Sequence, residues 1–314
     1  MNPLMYFLDL LVFIGIFGMM SLSLNLEYGF AGLANFGKVA FFLVGAYTYA
    51  LMAELGIPFI FCLLGGAGMA AVFGFLISLP ALRLRADYMA IVALTFGEIL
   101  RLIIKTEDWI AGGDWGTSVA PAISIAGASA QLNIFINIVL VYACLAACFI
   151  VAQLVTNSPY GRSMRAIRED EVAAEAMGKN RARFKAQIFM LGSAMAGLAG
   201  GLYAQYLHYV LPGMFMPMVT FTIWIMVLMG GPANNWGVLL GACIVEVFDR
   251  GANIAKDFLT LPTDPSNLQY ILFGVLIMVV LLYRPQGLLK ESPIKTKAIE
   301  RVRGISNAIR NRES

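Results

Sequence analysis

The chain has 314 residues, of which 60% are hydrophobic and 13% charged, with mean hydropathy +0.77 and a formal net charge of +3. Ordinary soluble domains carry about a quarter charged residues, so this composition excludes them. It points to an all-α polytopic membrane helix bundle, because backbone polar groups in lipid must be satisfied within each crossing segment.

In chain order, apolar runs near the roughly 20 residues that cross a bilayer predict about nine transmembrane spans. They are 4–26, 38–54, 57–80, 88–105, 131–155, 186–211, 215–230, 235–249 and 268–283. The first run lacks a basic leader and contains Asp9, so it is expected to be a retained span rather than a signal peptide. Cys62, Cys144, Cys148 and Cys243 all fall inside apolar runs, as small packing residues rather than metal ligands. Lys and Arg collect in 157–185, in the 81–87 link and after Leu282, whereas 106–130 has none. Basic segments stay in the cytoplasm, which sets the N-terminus outside and the C-terminus inside. The short, Gly/Pro-bounded 215–230 run reads as crossing or re-entrant. Residues 1–288 form the expected transmembrane domain and 289–314 a basic cytoplasmic tail. In that tail Ile299, Val302, Ile305 and Ile309 alternate with arginines, a pattern suited to an interfacial helix on anionic lipid.

The stretch GLANFGKVA, from Gly32, has the spacing of a phosphate-binding loop but puts Val39 where Ser or Thr must hold Mg²⁺. Its flanks are membrane-like, so a nucleotide site is not expected there. A second stretch, Gly231-Pro-Ala-Asn234-Asn-Trp-Gly237, echoes Gly32-Leu-Ala-Asn35-Phe-Gly37, and each precedes a Gly-Ala pair. Paired interruptions in corresponding halves mark the broken helices of transporters. Asn35 and Asn234 are suited to satisfy the freed backbone groups, and Asn35, Gly37, Asn234 and Gly237 are the candidate translocation-path residues. The alternative is a pair of tight turns packing small residues between helices.

Within the spans, Glu98 and Arg101 sit one turn apart and are expected to pair locally. Lys38 is expected to snorkel from the inner end of its span, and Glu246 lies near the outer end of its own. His208, the chain's one histidine, has no partners for a metal or proton relay and is expected at the interface. Without a catalytic or metal constellation, no enzyme, metal or bound cofactor is expected.

The loop PYGRSMRAIREDEVAAEAMGKN carries a predicted helix capped by Ser163 and ended by Gly178. Arg162, Arg165 and Arg168 share one face, and Arg165 is placed to pair with Glu169. Met164, Ile167 and Met177 among the charges suggest a contact surface for a soluble partner.

This loop resembles the coupling segment of ABC-importer permeases: Ala173, Ala174 and Gly178 align with its motif, while Glu171 stands one residue early and Leu191 replaces a proline. The succession SLSLNLEYGFAGLANFGKVAFFLVGAY, LRLRADYMAIVALTFGEILRL, the loop, GLAGGLYAQYL, VLMGGPANNWGVLLGA and YRPQGLL resembles the branched-chain amino-acid importer permeases, the LivH/LivM family, in its LivM branch. Lys38 departs from the family, which often has histidine there. The resemblance implies a second, LivH-like permease, two cytoplasmic ATPase subunits that bind ATP and Mg, an extracytoplasmic substrate-binding protein, and the cell membrane of a prokaryote, with no nucleic acid. It implies Arg165, Glu171, Glu175 and Gly178 as ATPase contacts, and makes 106–130 and 250–267 candidate docking surfaces. Cargo is left open between branched-chain amino acids and urea or amides. The rival readings are an ion-coupled secondary transporter using Glu98 or Glu246, and a passive pore.

Overall fold

The computed structural model describes residues 3–81, 86–120, 130–258, 274–275, 278, 282–284 and 286–291. The chain opens with α1, Pro3–Leu24, which passes without interruption into a π-helical turn, Asn25–Phe30. Such turns are rare and gather at functional sites. Gly32, at φ +69°, ends the run in a conformation that only glycine adopts without strain.

After this break α2 runs Lys38–Glu54, and a short turn through Gly56 and Pro58 returns the chain as α3, Phe59–Ala81. Next come α4, Ala86–Thr106, and a one-turn α5, Asp108–Ala111. A two-residue strand, β1 (Thr117–Ser118), pairs antiparallel with β2 (Tyr209–Val210), Thr117 opposite Val210. Helix α6, Ala130–Asn157, is followed by the short α7, Pro159–Glu169, and α8, Glu171–Ala176. Then follow α9, Arg181–Leu207; α10, Pro217–Gly230; and α11, Asn235–Phe258.

The core is built on close backbone approach. Helix α9 lies along both α2 and α3. A Cβ added to Gly45 would sit 2.1 Å from the Gly197 carbonyl oxygen, and one added to Gly200 2.1 Å from that of Phe42. Lipid tails are as apolar as leucine, so helices in membranes gain from tight van der Waals contact rather than from burial alone. Small residues at the seams permit that contact. Around the seams Phe13, Phe17, Phe42, Tyr203 and Phe215 form a continuous aromatic cluster with ring centroids 5.1–6.4 Å apart.

Among the described residues, four helices are long and apolar enough to cross a membrane: Leu4–Phe30, Phe59–Leu79, Leu132–Asn157 and Arg181–Leu207. Helices α2 and α10, of 17 and 14 residues, are shorter because each ends or begins at a break. The 268–283 run, residues 82–85 with Arg83 and Arg85, and the tail beyond Glu291 fall largely or wholly outside the described residues. Glu98 and Arg101 pair as expected, with Arg101 Nε donating to Glu98 Oε2 at 3.0 Å. His208 is the left-handed residue that ends α9, its amide bonded to Ala204 O.

Candidate functional site

Both interruptions foreseen in the sequence are helix breaks, each bridged locally by its asparagine: Asn35 turns the chain ahead of α2, and Asn234 caps α11. Asn35 Oδ1 accepts from Gly37 N at 3.0 Å, just before α2 begins. Asn234 Oδ1 accepts from Trp236 N and Gly237 N, both at 3.1 Å, at the start of α11. A helix start leaves up to four amides without intrahelical partners, and a side-chain oxygen satisfies one or two of them. The glycines are also packing points: a Cβ on Gly37 would fall 2.0 Å from Ala93 O, and one on Gly237 2.4 Å from Gly230 O. The break and the small-residue turn are therefore one structure seen from two sides.

The break after α1 contains a fully buried ion pair that the sequence did not disclose. Lys38 Nζ lies 2.7 Å from Glu27 Oε1, with both side chains 0% exposed. Asn35 Nδ2 donates to the other oxygen, Glu27 Oε2, at 2.9 Å. Lys38 therefore does not snorkel to the interface. The π turn carries Glu27 inward, where its carboxylate meets the lysine out of reach of solvent. A Cβ on Gly192 of α9 would lie 2.2 Å from Glu27 Oε1, so the glycine makes room for the pair.

The two breaks meet. Asn25 Oδ1 accepts from Ala233 N at 2.8 Å, and Asn25 Nδ2 donates to Asn235 Oδ1 at 2.9 Å. Trp224 Nε1 donates to Asn35 O at 3.2 Å while its ring stacks on Phe36, centroids 4.6 Å apart. Val39 N donates to Thr220 Oγ1 at 3.1 Å. Polar groups of α1, α2, α10 and α11 thus converge on a single buried junction. Residues 286–291 close it from the far side: Leu288 N donates to Met229 O at 2.9 Å, Leu289 N to Gly230 O at 3.1 Å, and Asn234 Nδ2 to Lys290 O at 2.8 Å.

The loop beside the bundle is two helices, not one. Ser158, not Ser163, caps α7, accepting from Gly161 N at 3.3 Å with Pro159 in the first turn. Ser163 Oγ instead donates to Pro159 O inside the helix. Asp170 ends α7 and caps α8, its Oδ1 accepting from Val172 N and Ala173 N at 2.9 and 3.0 Å. An aspartate in an extended conformation both stops one helix and starts the next. Gly178 follows α8 at φ +77°, as expected of a residue just past a helix end.

Helix α7 faces inward. Met164 and Ile167 are buried against the bundle, so they are core rather than contact surface. Arg165 is 7% exposed, stacks over Phe30 at 5.0 Å and lies 3.5 Å from Glu291, rather than pairing with Glu169. Burial lowers its pKa, opposed by the Glu291 carboxylate. Arg168 donates to Gly29 O and, at 2.9 Å, to Glu291 Oε2. Burial pushes the Tyr160 phenol up to about 12, keeping it a neutral donor to Phe184 O at 3.1 Å. Helix α8 faces outward: Val172 and Met177 are 74% and 69% exposed, and Glu175 is exposed as well. Arg181 lies 3.2 Å from Glu171 and 3.5 Å from Glu175, and Lys185 also pairs with Glu171, so α8 is tied to the start of α9.

Glu27, Asn25, Trp224 and Glu291 were not foreseen in the sequence, and Arg168 was placed on the loop's helix face without its partners Gly29 and Glu291. The available signal was Glu27 itself, an ionisable residue in an apolar run whose natural partner was the nearby Lys38.

A helical membrane bundle with two interlocked helix breaks, braced to a charged helix pair at one end, has the build of a transporter's membrane subunit. The profile of the family described as "Branched-chain amino acid transport system / permease component" matches residues 6–281, and the chain belongs to that family. It is 33% identical to the probable branched-chain amino acid transport permease protein LivM of Methanocaldococcus jannaschii, over 93% of this chain and 95% of that protein. It is 31% identical to the high-affinity branched-chain amino acid transport system permease protein LivM of Escherichia coli K12, over 87% of this chain and 68% of the relative. The corresponding LivH of Salmonella typhimurium is 24% identical, over 87% of this chain and 91% of that protein. The resemblance is thus to the LivM branch. No solved structure matches.

Proposed function

We propose that this chain is the LivM-like permease subunit of an ATP-driven importer that carries branched-chain amino acids across a prokaryotic cell membrane. Family membership across residues 6–281 carries the reading. In it the chain crosses about nine times with its N-terminus outside, pairs with a LivH-like permease, and receives cargo from an extracytoplasmic binding protein. Two cytoplasmic ATPase subunits, which bind ATP and Mg, dock on the α7–α8 pair. The outward face of α8, with Val172, Glu175 and Met177 and the free approach to Gly178, supports that docking. Arg165 and Glu171 hold the docking element, the first to the bundle and the second to α9. Asn35, Gly37, Asn234 and Gly237 shape the path indirectly, as the turn, cap and close-packed glycines of the helix breaks that flank it. ATP-driven displacement of the docked subunits moves this element and alternates access between the two sides.

The test is affinity isolation of the full chain from its own cells in mild detergent, with ATP-dependent leucine uptake measured in vesicles from the same cells. An ATPase and a second permease should copurify, and Glu175→Arg or Gly178→Trp should release the ATPase. A monodisperse chain without ATPase, in vesicles whose leucine uptake ignores ATP, refutes the reading.

A further inference from the structure

Helices α1, α10 and α11 border an open cavity of about 380 Å³ lined by the aromatic rings of Tyr6, Phe13 and Phe17, by Val219 and Thr222, and by the charged groups of Glu246, Asp249 and Arg250. That volume suits a small organic ligand, since such sites run from about 300 Å³ upward. Its charged groups are the unusual feature. Glu246 is 5% exposed, and among the described residues no hydrogen bond or ion pair within 4.0 Å engages its carboxylate, which feels only the more distant charges of Arg250 and Asp249. A buried carboxylate without a donor is costly anywhere, and more so at membrane depth.

Arg250 is held without being used up. Its guanidinium lies 4.3 Å from the centroid of the Phe13 ring and 5.7 Å from that of Tyr6, and Tyr6 Oη donates to its backbone carbonyl at 2.9 Å. Stacking engages the face of a guanidinium and leaves its N–H edge, which matches a carboxylate in a bidentate fork. Arg250 and Glu246 line the same cavity and attract each other across it, but no ion pair within 4.0 Å joins them.

A ligand that satisfies both must carry a positive and a negative group a few ångströms apart. A simple cation leaves Arg250 without an acceptor, and a carboxylic acid leaves Glu246 without a donor. Between them, Phe13, Phe17 and Val219 form an apolar wall. We propose that the α1–α10–α11 cavity is an amino-acid subsite. In it Glu246 takes the α-ammonium, Arg250 the α-carboxylate, and Phe13, Phe17 and Val219 the aliphatic side chain. This deepens the importer reading by giving its cargo a place in this chain, and it rests on that reading only for the identity of the side chain.

The test uses a diazirine analogue of leucine, photolysed in vesicles bearing the full chain with its partners, with labelled peptides identified by mass. Label is expected on Phe13, Phe17, Val219 or Thr222, displaced by excess leucine but not by 3-methylbutylamine or 4-methylpentanoate. Glu246→Gln should lower it about tenfold, as expected for loss of a charge-assisted hydrogen bond. If that variant does not reach the membrane, Val219→Phe decides. It narrows the apolar wall and should weaken competition by leucine about tenfold while sparing that by alanine. Label confined to other segments, or undiminished in both variants, overturns the subsite. ATP-dependent leucine uptake in the same vesicles separates the two readings. Uptake without cavity label refutes the subsite alone, and cavity label without uptake refutes the importer while the subsite stands.

Discussion

Replacing Lys38 by methionine keeps most of the side chain's length and removes its charge. In the wild type the ammonium is 2.7 Å from Glu27 Oε1 and both groups are 0% exposed. After the change Glu27 keeps one donor, Asn35 Nδ2 at 2.9 Å, and no counter-charge. Removing one member of a buried ion pair costs about 3–5 kcal/mol, because the other is left desolvated and uncompensated. Adding Glu27→Gln removes the orphan charge while leaving an amide that still accepts from Asn35. The double variant should therefore recover at least about 2 kcal/mol of that loss, a coupling of the size seen for residues in direct contact. At about 2–4 °C per kcal/mol for a large domain, Lys38→Met should melt on the order of 10 °C below the wild type in detergent. The double variant should fall between them. Single and double variants that melt together would refute the claim that charge compensation, rather than shape, holds this break.

Gly178 has a left-handed backbone but open space around it, so Gly178→Ala should cost only about 1–2 kcal/mol, from backbone strain, without displacing the ATPase. Melting temperature and copurification of the Gly178→Ala chain check both parts. Gly45→Val places carbon where the Gly197 carbonyl oxygen now sits, forcing α2 and α9 apart; the expected result is failure to yield a monodisperse chain on size-exclusion chromatography. Asp170→Ala removes the cap that starts α8 and should cost about 1 kcal/mol locally, read as faster amide exchange at Val172 and Ala173 than elsewhere in the loop. Arg168→Ala releases both Gly29 O and Glu291, and should lower leucine uptake per ATP hydrolysed in reconstituted vesicles.

How much was legible in the sequence depended on whether the responsible interaction was local. Asn35 and Asn234 accept from amides two or three residues away, and Gly178 follows a helix that ends two residues before it. Spacing alone reveals such features, and the structure contains them. Glu98 and Arg101, three residues apart, belong to the same group. The capping serine was misplaced because Ser158 and Ser163 both precede plausible helix starts, and the choice turns on Pro159, which favours the first turn. Lys38 went wrong for a different reason. Its partner is only 11 residues away, but the π turn and the break lie between them, and no periodicity describes a reversal of that kind. Arg165 shows the limit of charge as a guide. A basic residue in a basic loop reads as solvated, whereas here the Phe30 ring and a carboxylate 126 residues later hold it inward.

The six-residue π turn explains why these separate contacts form one device. Asn25 binds the second break through Ala233 and Asn235, Glu27 holds the first break through Lys38 and Asn35, and Gly29 and Phe30 receive Arg168 and Arg165 from α7. An α-helix repeats every 3.6 residues and cannot direct successive side chains to so many neighbours at this spacing, whereas the wider π turn redistributes them. A displacement of α7 relative to the bundle must either break its contacts at Gly29 and Phe30 or carry the π turn with it. In the second case both breaks move together, because each is bonded to that turn. The Glu27–Lys38 pair, dry and satisfied on both oxygens of the carboxylate, then serves as the stiff connection between the turn and the start of α2. A snorkelling lysine, free to exchange water for carboxylate, cannot provide that stiffness.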